Sequence, residues 1–171
     1  MLNKHVSELI NDQINKELYS AYLYLDISNY FYDEGLEGFG NWYKIQTMEE
    51  RDHAMLMMEY LQINGEKVTL KAIAKPDKIF NEYKDGLLVA AEHERYVTDL
   101  INKIYEKAAE AKEYKTLQFL DWFVKEQVEE ENNADTMVKK FELFGSDPKS
   151  LYMLDSELKG RVYTAPSLVL D

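Results

Sequence analysis

Four long stretches of the chain carry apolar residues at helical spacing, and each stripe is interrupted near its middle by a carboxylate and its polar companions. The inward series of the first is Val6, Ile10, Gln13, Glu17, Ala21, Tyr24, Ile27, and that of the second is Phe39, Tyr43, Gln46, Glu50, His53, Met57, Tyr60. The third reads Leu87, Ala90, Glu94, Val97, Ile101, Ile104, Ala108, and the fourth Leu120, Phe123, Gln127, Glu130, Ala134, Met137. Residues three and four apart share one face of a helix, so each stripe predicts a helix that would bury its own charge. A buried charge is costly unless compensated, and carboxylates gathered together repel one another. A cation relieves both penalties. The pattern predicts an all-α four-helix bundle with a metal site in its core.

The length of 171 residues suits one domain with a sizeable core, and a hydrophobic content of 46% argues for a folded chain. The formal charge of −12 speaks against nucleic acid as a partner and favours cations. No cysteine is present, which excludes disulfides, thiolate zinc sites and iron–sulfur clusters. No apolar run approaches the ~20 residues of a membrane span, and the N-terminal residues lack the apolar region of a signal peptide. A cytoplasmic location is expected, with no membrane partner.

The first helix is expected over about residues 5–33, with Asn3 or Ser7 near its start and Gly35 at its stop. The second runs to about Asn64, before Gly65, and the short connection makes the two an antiparallel hairpin. Residues 65–80 contain Pro76 and no helical stripe. Sixteen extended residues reach ~50 Å, enough to return the chain along a whole helix and leave the second and third helices parallel. The third helix is expected over about 81–110. The boundary before the fourth offers neither Gly nor Pro, and is placed near Glu113 and Tyr114 by the change of stripe phase. The fourth helix ends near Phe144, so the bundle spans about 5–144. A short fifth helix is expected over about 148–159, capped by Ser146 or Asp147 with Pro148 in its first turn, followed by a tail, 160–171, without periodicity.

Level matters as much as face. Glu17, Glu50 with His53, Glu94, and Gln127 with Glu130 all lie near the midpoints of their helices, so aligned helices bring them to one height. Four carboxylates and one imidazole then converge as a dinuclear site, and this oxygen-rich donor set suits iron or manganese. One ion would take Glu17, Glu50 and His53. The other would take Glu94 and Glu130, with Glu50 bridging. Gln127 would orient the site or hold a bound oxygen species or water. His93 lies about 100° round the helix from Glu94 and reads as a surface or core-edge imidazole.

At these residues the sequence resembles the ferritins, and specifically the non-haem ferritins of bacteria and archaea. The carriers are NDQINKELYSAYLYL (11–25), GLEGFGNWYKIQTMEERDHA (35–54), AAEHE (90–94) and FLDWFVKEQVEEE (119–131). The resemblance implies a ferritin-like bundle with a long crossover and a short fifth helix. It also implies a ferroxidase that oxidises two Fe²⁺ with dioxygen, and storage of Fe³⁺ in a hollow shell of twenty-four subunits. It assigns Glu17, Glu50, His53, Glu94 and Glu130 as iron ligands and Gln127 as a neighbouring non-ligand. Glu49, Glu126 and Glu129 match a third iron position, and Tyr24 a tyrosine beside the centre that can donate an electron. Haem is not implied, because bacterioferritin has a second ExxH on the fourth helix and a methionine at position 52, where this chain has Gln127-x-x-Glu130 and Asp52. Two rivals remain open at this level: a di-iron oxidase of an organic substrate, which needs an apolar cavity beside the metals, and a structural bundle with a polar core. The off-stripe residues Tyr19, Tyr22, Leu23, Tyr30, Trp42 and Met58 would leave a monomer with exposed aromatic surface, which pairing of subunits through the first two helices would bury.

Overall fold

The computed structural model describes residues 2–170, and all regular structure among them is helical. The elements are α1 (Lys4–Asp33), α2 (Glu37–Ile63), α3 (Tyr83–Glu110), α4 (Tyr114–Phe144) and α5 (Pro148–Leu158). Cross-helix contacts fix the directions. Lys16, Ser20 and Ile27 of α1 meet Tyr96, His93 and Gly86 of α3, so these two helices run antiparallel. Phe39, Gln46 and Tyr60 of α2 meet Phe141, Glu130 and Thr116 of α4 in the same inverted order. Helices α2 and α3 are therefore parallel, joined by a crossover without secondary structure. That crossover runs beside α1, where Asn11 accepts from Thr69 N at 2.8 Å and donates to Thr69 O at 3.0 Å. One turn on, Asn15 donates to Ala72 O at 3.1 Å.

Helix ends follow local chemistry. Asn3 caps α1, its side chain accepting from His5 N and Val6 N, and Asp147 caps α5 by accepting from Ser150 N at 2.7 Å. Helices α1, α2 and α3 end in the same paired-bond turn, with a left-handed residue just past the helix. Gly35 and Gly65 hold that position in the first two. In the third it is Lys112 (φ 57°), a conformation that costs an L-residue about 1 kcal/mol or more.

The core is divided. One apolar cluster includes Val6, Ile10, Met57, Tyr60, Ile101, Ile104, Leu120 and Phe123, and another includes Leu23, Ile27, Phe31, Phe39, Leu87, Met137 and Leu154. Between them lies a layer of buried polar side chains: Gln13, Glu17, Gln46, Glu50, His53, Glu94, Gln127 and Glu130. Every inward-stripe residue is buried except Ala134, which is half-buried. Leu23, expected on an outer surface, is buried within the subunit, because the buried face of α1 also takes in Ser20, Ser28 and Phe31. Tyr22 is the off-stripe residue that stays exposed, and it lies in a shallow surface depression with Leu18, Leu25, Thr47 and Ile73.

Helix α5 folds back onto the α1–α2 turn. Leu36 gives α2 no side-chain cap, and Asp155 of α5 supplies one, accepting from Gly38 N at 2.7 Å and Phe39 N at 3.1 Å. The approach needs Gly38, where a Cβ would lie 1.7 Å from Asp155 O. Asp155→Ala removes the acceptor of two buried amides and should lower stability by about 2 kcal/mol, read as a lower guanidinium midpoint at unchanged slope. A midpoint equal to the parent's would show that water replaces the carboxylate at no cost.

Candidate metal centre

Each polar side chain of the middle layer is held by its own helix and by a neighbour. Gln13 Nε2 donates to Glu17 Oε1 at 2.9 Å, one turn along α1. Gln46 Nε2 donates to Glu50 Oε1 at 3.1 Å, one turn along α2, and crosses to Glu130 Oε2 of α4 at 2.7 Å. Gln127 Nε2 donates to Glu94 Oε2 at 3.2 Å and to Thr98 Oγ1 at 3.2 Å, while the Tyr24 hydroxyl donates to Glu94 Oε1. His53 Nδ1 lies 3.5 Å from Glu50 Oε2, beyond normal hydrogen-bond length, and its ring stands edge-on to Trp122 and Phe123.

The layer contains two sets of side chains whose ligand atoms lie within 4.8 Å of one another: Glu17, Glu50 and His53, and His53, Glu126 and Glu130. His53 belongs to both. The first set reproduces the grouping read for one ion. In the second, Glu130 is joined by Glu126, while both oxygens of Glu94 face Tyr24 and Gln127. Glu49 is turned toward Arg161 and Glu129 is exposed, so neither joins these sets. His93 sits at the core edge between α1 and α3, bonded to Ser20 Oγ at 2.8 Å. Burial lowers its pKa to about 4.

Spacing alone gave Gln13 and Gln46 no role. The signal was present as a repeated QxxxE, Gln13 before Glu17 and Gln46 before Glu50, which places an amide donor one turn from a buried acid. Arg161 carried no such signal.

Electrostatics match the geometry. Burial, followed by the charge of Glu50, holds Glu17 well above the ordinary carboxylate value. Burial raises Glu50 and Glu130 similarly, with the charge of Glu94 the next contribution to each. Glu94 is also raised by burial, against the pull of its bonds from Tyr24 and Gln127. Tyr24 is pushed well above 10, first by burial and then by the neighbouring charge of Glu94. Among the described residues, one buried side-chain oxygen, Glu17 Oε2, receives no amide or hydroxyl donor and has only the carboxyl of Glu50 to share a proton with. An orphaned acceptor among carboxylates and one imidazole fits an oxygen-preferring divalent cation, which would satisfy it and displace the protons.

This arrangement has close relatives. The sequence pattern described as Ferritin-like domain matches residues 7–144. A bacterial non-heme ferritin of Campylobacter jejuni is 38% identical over 159 residues, covering 93% of this chain and 95% of the relative. One from Staphylococcus haemolyticus is 36% identical over 167 residues, covering 95% and 98%. Among solved structures, an open pore ferritin from the hyperthermophilic archaeon Archaeoglobus fulgidus superposes with a TM-score of 0.92 at 40% identity, covering 95% of this chain and 100% of that one. The chain belongs to the ferritin family.

Protonation of the centre makes a testable demand on the metal-free protein. Glu50 holds its proton above 4.5 in the fold, so between 4.5 and the raised value the folded state binds more protons than the unfolded one. That contribution to stability is complete below the unfolded value and is lost as pH rises through the folded one. Glu50→Gln keeps the shape and removes the charge. It should raise the metal-free melting temperature at neutral pH and flatten its decline with rising pH. A lower melting temperature than the parent's at neutral pH would contradict the assignment.

Proposed function

We propose that the protein stores iron, oxidising Fe²⁺ with dioxygen at the middle layer of each bundle and keeping the Fe³⁺ as hydrated oxide inside a shell of twenty-four subunits. The observation that carries this reading is the buried layer itself: Glu17, Glu50, His53, Glu94 and Glu130 at one level, with Glu17 Oε2 unpartnered. Such a layer costs stability, and a cation entering it would offset that cost. Membership of the ferritin family makes that cation iron, here substrate and cargo together.

The residues divide the work. Glu17, Glu50 and His53 would receive one ion, and Glu130 with Glu94 the other, Glu50 lying between Glu17 and the Gln46 amide that reaches Glu130. Burial raises the proton affinity of these carboxyls, so Fe²⁺ binding competes with protons and releases those that are bound. Each of the two ions gives one electron to dioxygen, which is thereby reduced to the peroxide level, while water supplies the oxygen of the hydrated Fe³⁺ oxide and releases protons. Gln127 steadies Glu94 through the amide. Tyr24, whose hydroxyl donates to Glu94, would supply a further electron to the two-electron-reduced dioxygen, its proton passing to that carboxylate. Glu126, beside His53 and Glu130, begins a path outward past Glu49 and Glu129 that includes the third iron position. The void beside Tyr24, Tyr43, Glu94 and Glu130 measures about 10 Å³, room for one water at most, so an organic molecule does not fit at that face of the centre.

The shell reading draws on the relatives and on surface chemistry. Leu18, Tyr22 and Leu25 of α1 form an apolar patch with Ile73 of the crossover, and α5 exposes Tyr152 and Met153. Association through such faces has to overcome a formal charge of −12 per chain, so the contacts are apolar and resist high salt. Light scattering at micromolar protein and moderate salt should find a particle near twenty-four times the 20.1 kDa chain. A stable monomer or dimer would defeat the shell and leave the centre standing.

Glu50→Ala tests the chemistry. Stopped-flow absorbance of aerobic Fe²⁺ oxidation should show the initial rate reduced by at least about tenfold, with helicity unchanged. An initial rate equal to the parent's would remove Glu50 from the centre. Tyr24→Phe keeps the ring and should leave the first turnover intact while slowing completion. An identical full time course would make Tyr24 a packing residue.

A further inference from the structure

The tail after α5 crosses the bundle beside the metal layer, and one of its side chains reaches that layer. Arg161 Nη2 is 2.6 Å from Glu49 Oε2, and its Nη1 donates to Gln46 Oε1 at 3.0 Å and to Trp42 O at 3.1 Å. The guanidinium lies 4.1 Å above the Trp42 ring, and its side chain is only 15% exposed. Downstream residues pin the tail in place: Tyr163 donates to Asp52, Ser167 Oγ accepts from Trp122 Nε1 at 3.1 Å, and Leu168 and Leu170 pack on the apolar cluster that contains Val6, Met57 and Phe123. The strap thus runs from α2 to α4 across the side of the bundle where Glu49 and Glu126 lie.

A guanidinium only donates. By occupying Gln46 Oε1 it fixes which way that amide faces, so the NH₂ group is left for Glu50 and Glu130. By pairing with Glu49 it also neutralises a carboxylate whose charge is felt by His53 and Glu126, two members of the second set of ligand atoms.

We propose that Arg161 is the protein's own cation at the outer edge of the centre. It holds Glu49 and Gln46 in position and weakens the third metal position, which can take an ion through Glu49 only if the guanidinium is displaced. The chain therefore holds two ions in its core and lets a third pass, rather than retaining three. This rests on the cation reading of the middle layer.

Titration of the assembled, metal-free protein with Zn²⁺, a redox-inert probe, separates the two claims by calorimetry. The parent should bind two ions per subunit tightly and a third more weakly. Arg161→Gln should leave the first two in place and tighten the third about tenfold, the scale of a lost charge-assisted hydrogen bond. Arg161→Lys, which restores the charge, should return the third affinity to within about threefold of the parent. Tyr163→Phe loosens the strap without touching the charge and should match the parent. If Arg161→Gln does not fold, Arg161→Met, which keeps the stem over Trp42, replaces it. The proposal is overturned if the third affinity is unchanged in the charge-removing variant while the two core ions persist. It is equally overturned if Tyr163→Phe tightens the third ion as much, since the effect would then belong to tail seating. A parent that binds no pair of core ions overturns both the proposal and the reading beneath it.

Discussion

Repulsion among Glu17, Glu50, Glu94 and Glu130 is the constraint to which the rest of the molecule is fitted. Four acids in the apolar centre of a bundle would ordinarily open it. Three features keep it closed. Apolar clusters above and below the layer tie the helices on both sides of it. Amides of Gln13, Gln46 and Gln127 donate to the acids, so each of the four carboxylates has at least one oxygen partnered. Burial also raises the proton affinity of the acids, so the metal-free layer carries less charge than four free carboxylates would. Removing the apolar clusters would leave nothing to offset the layer. Removing the layer would leave an ordinary bundle with no chemistry.

Much of this was legible because a helix repeats every 3.6 residues, so one face can be read as a list. The four stripes placed Glu17, Glu50, His53, Glu94 and Glu130 inside, and the structure buries all five at one level. Helix ends were legible where glycine takes the left-handed position, at Gly35 and Gly65. The α3–α4 turn uses the same bonds with Lys112 in that position, so no composition signal marked it, and the stripe phase had to serve instead. Leu23 was misplaced because α1 buries a broader arc than a single stripe, packing against both α2 and α3.

The tail was illegible for a different reason. Arg161, Tyr163 and Ser167 work through partners more than forty residues away in sequence, and an irregular strap has no period to read. The same holds for Asp155, which resembles any acid on a short helix until its carboxylate is seen capping α2. Both contacts bring the C-terminal segment onto its own bundle. The fifth helix therefore has structural work within the subunit, whatever it also contributes between subunits. Function in this chain depends on pairs that periodicity cannot find, laid over a scaffold that periodicity describes well.

The central claim is that the buried acids exist to hold two ions side by side. Crystals of the metal-free protein soaked anaerobically with Fe²⁺, with diffraction recorded on both sides of the iron absorption edge, test it directly. The account predicts two anomalous peaks inside each bundle, ~3 to 4 Å apart, in the layer between Glu17, Glu50 and His53 on one side and Glu94 and Glu130 on the other. Peaks confined to the surface, with the middle layer empty and Glu17 Oε2 still unpartnered, would contradict it.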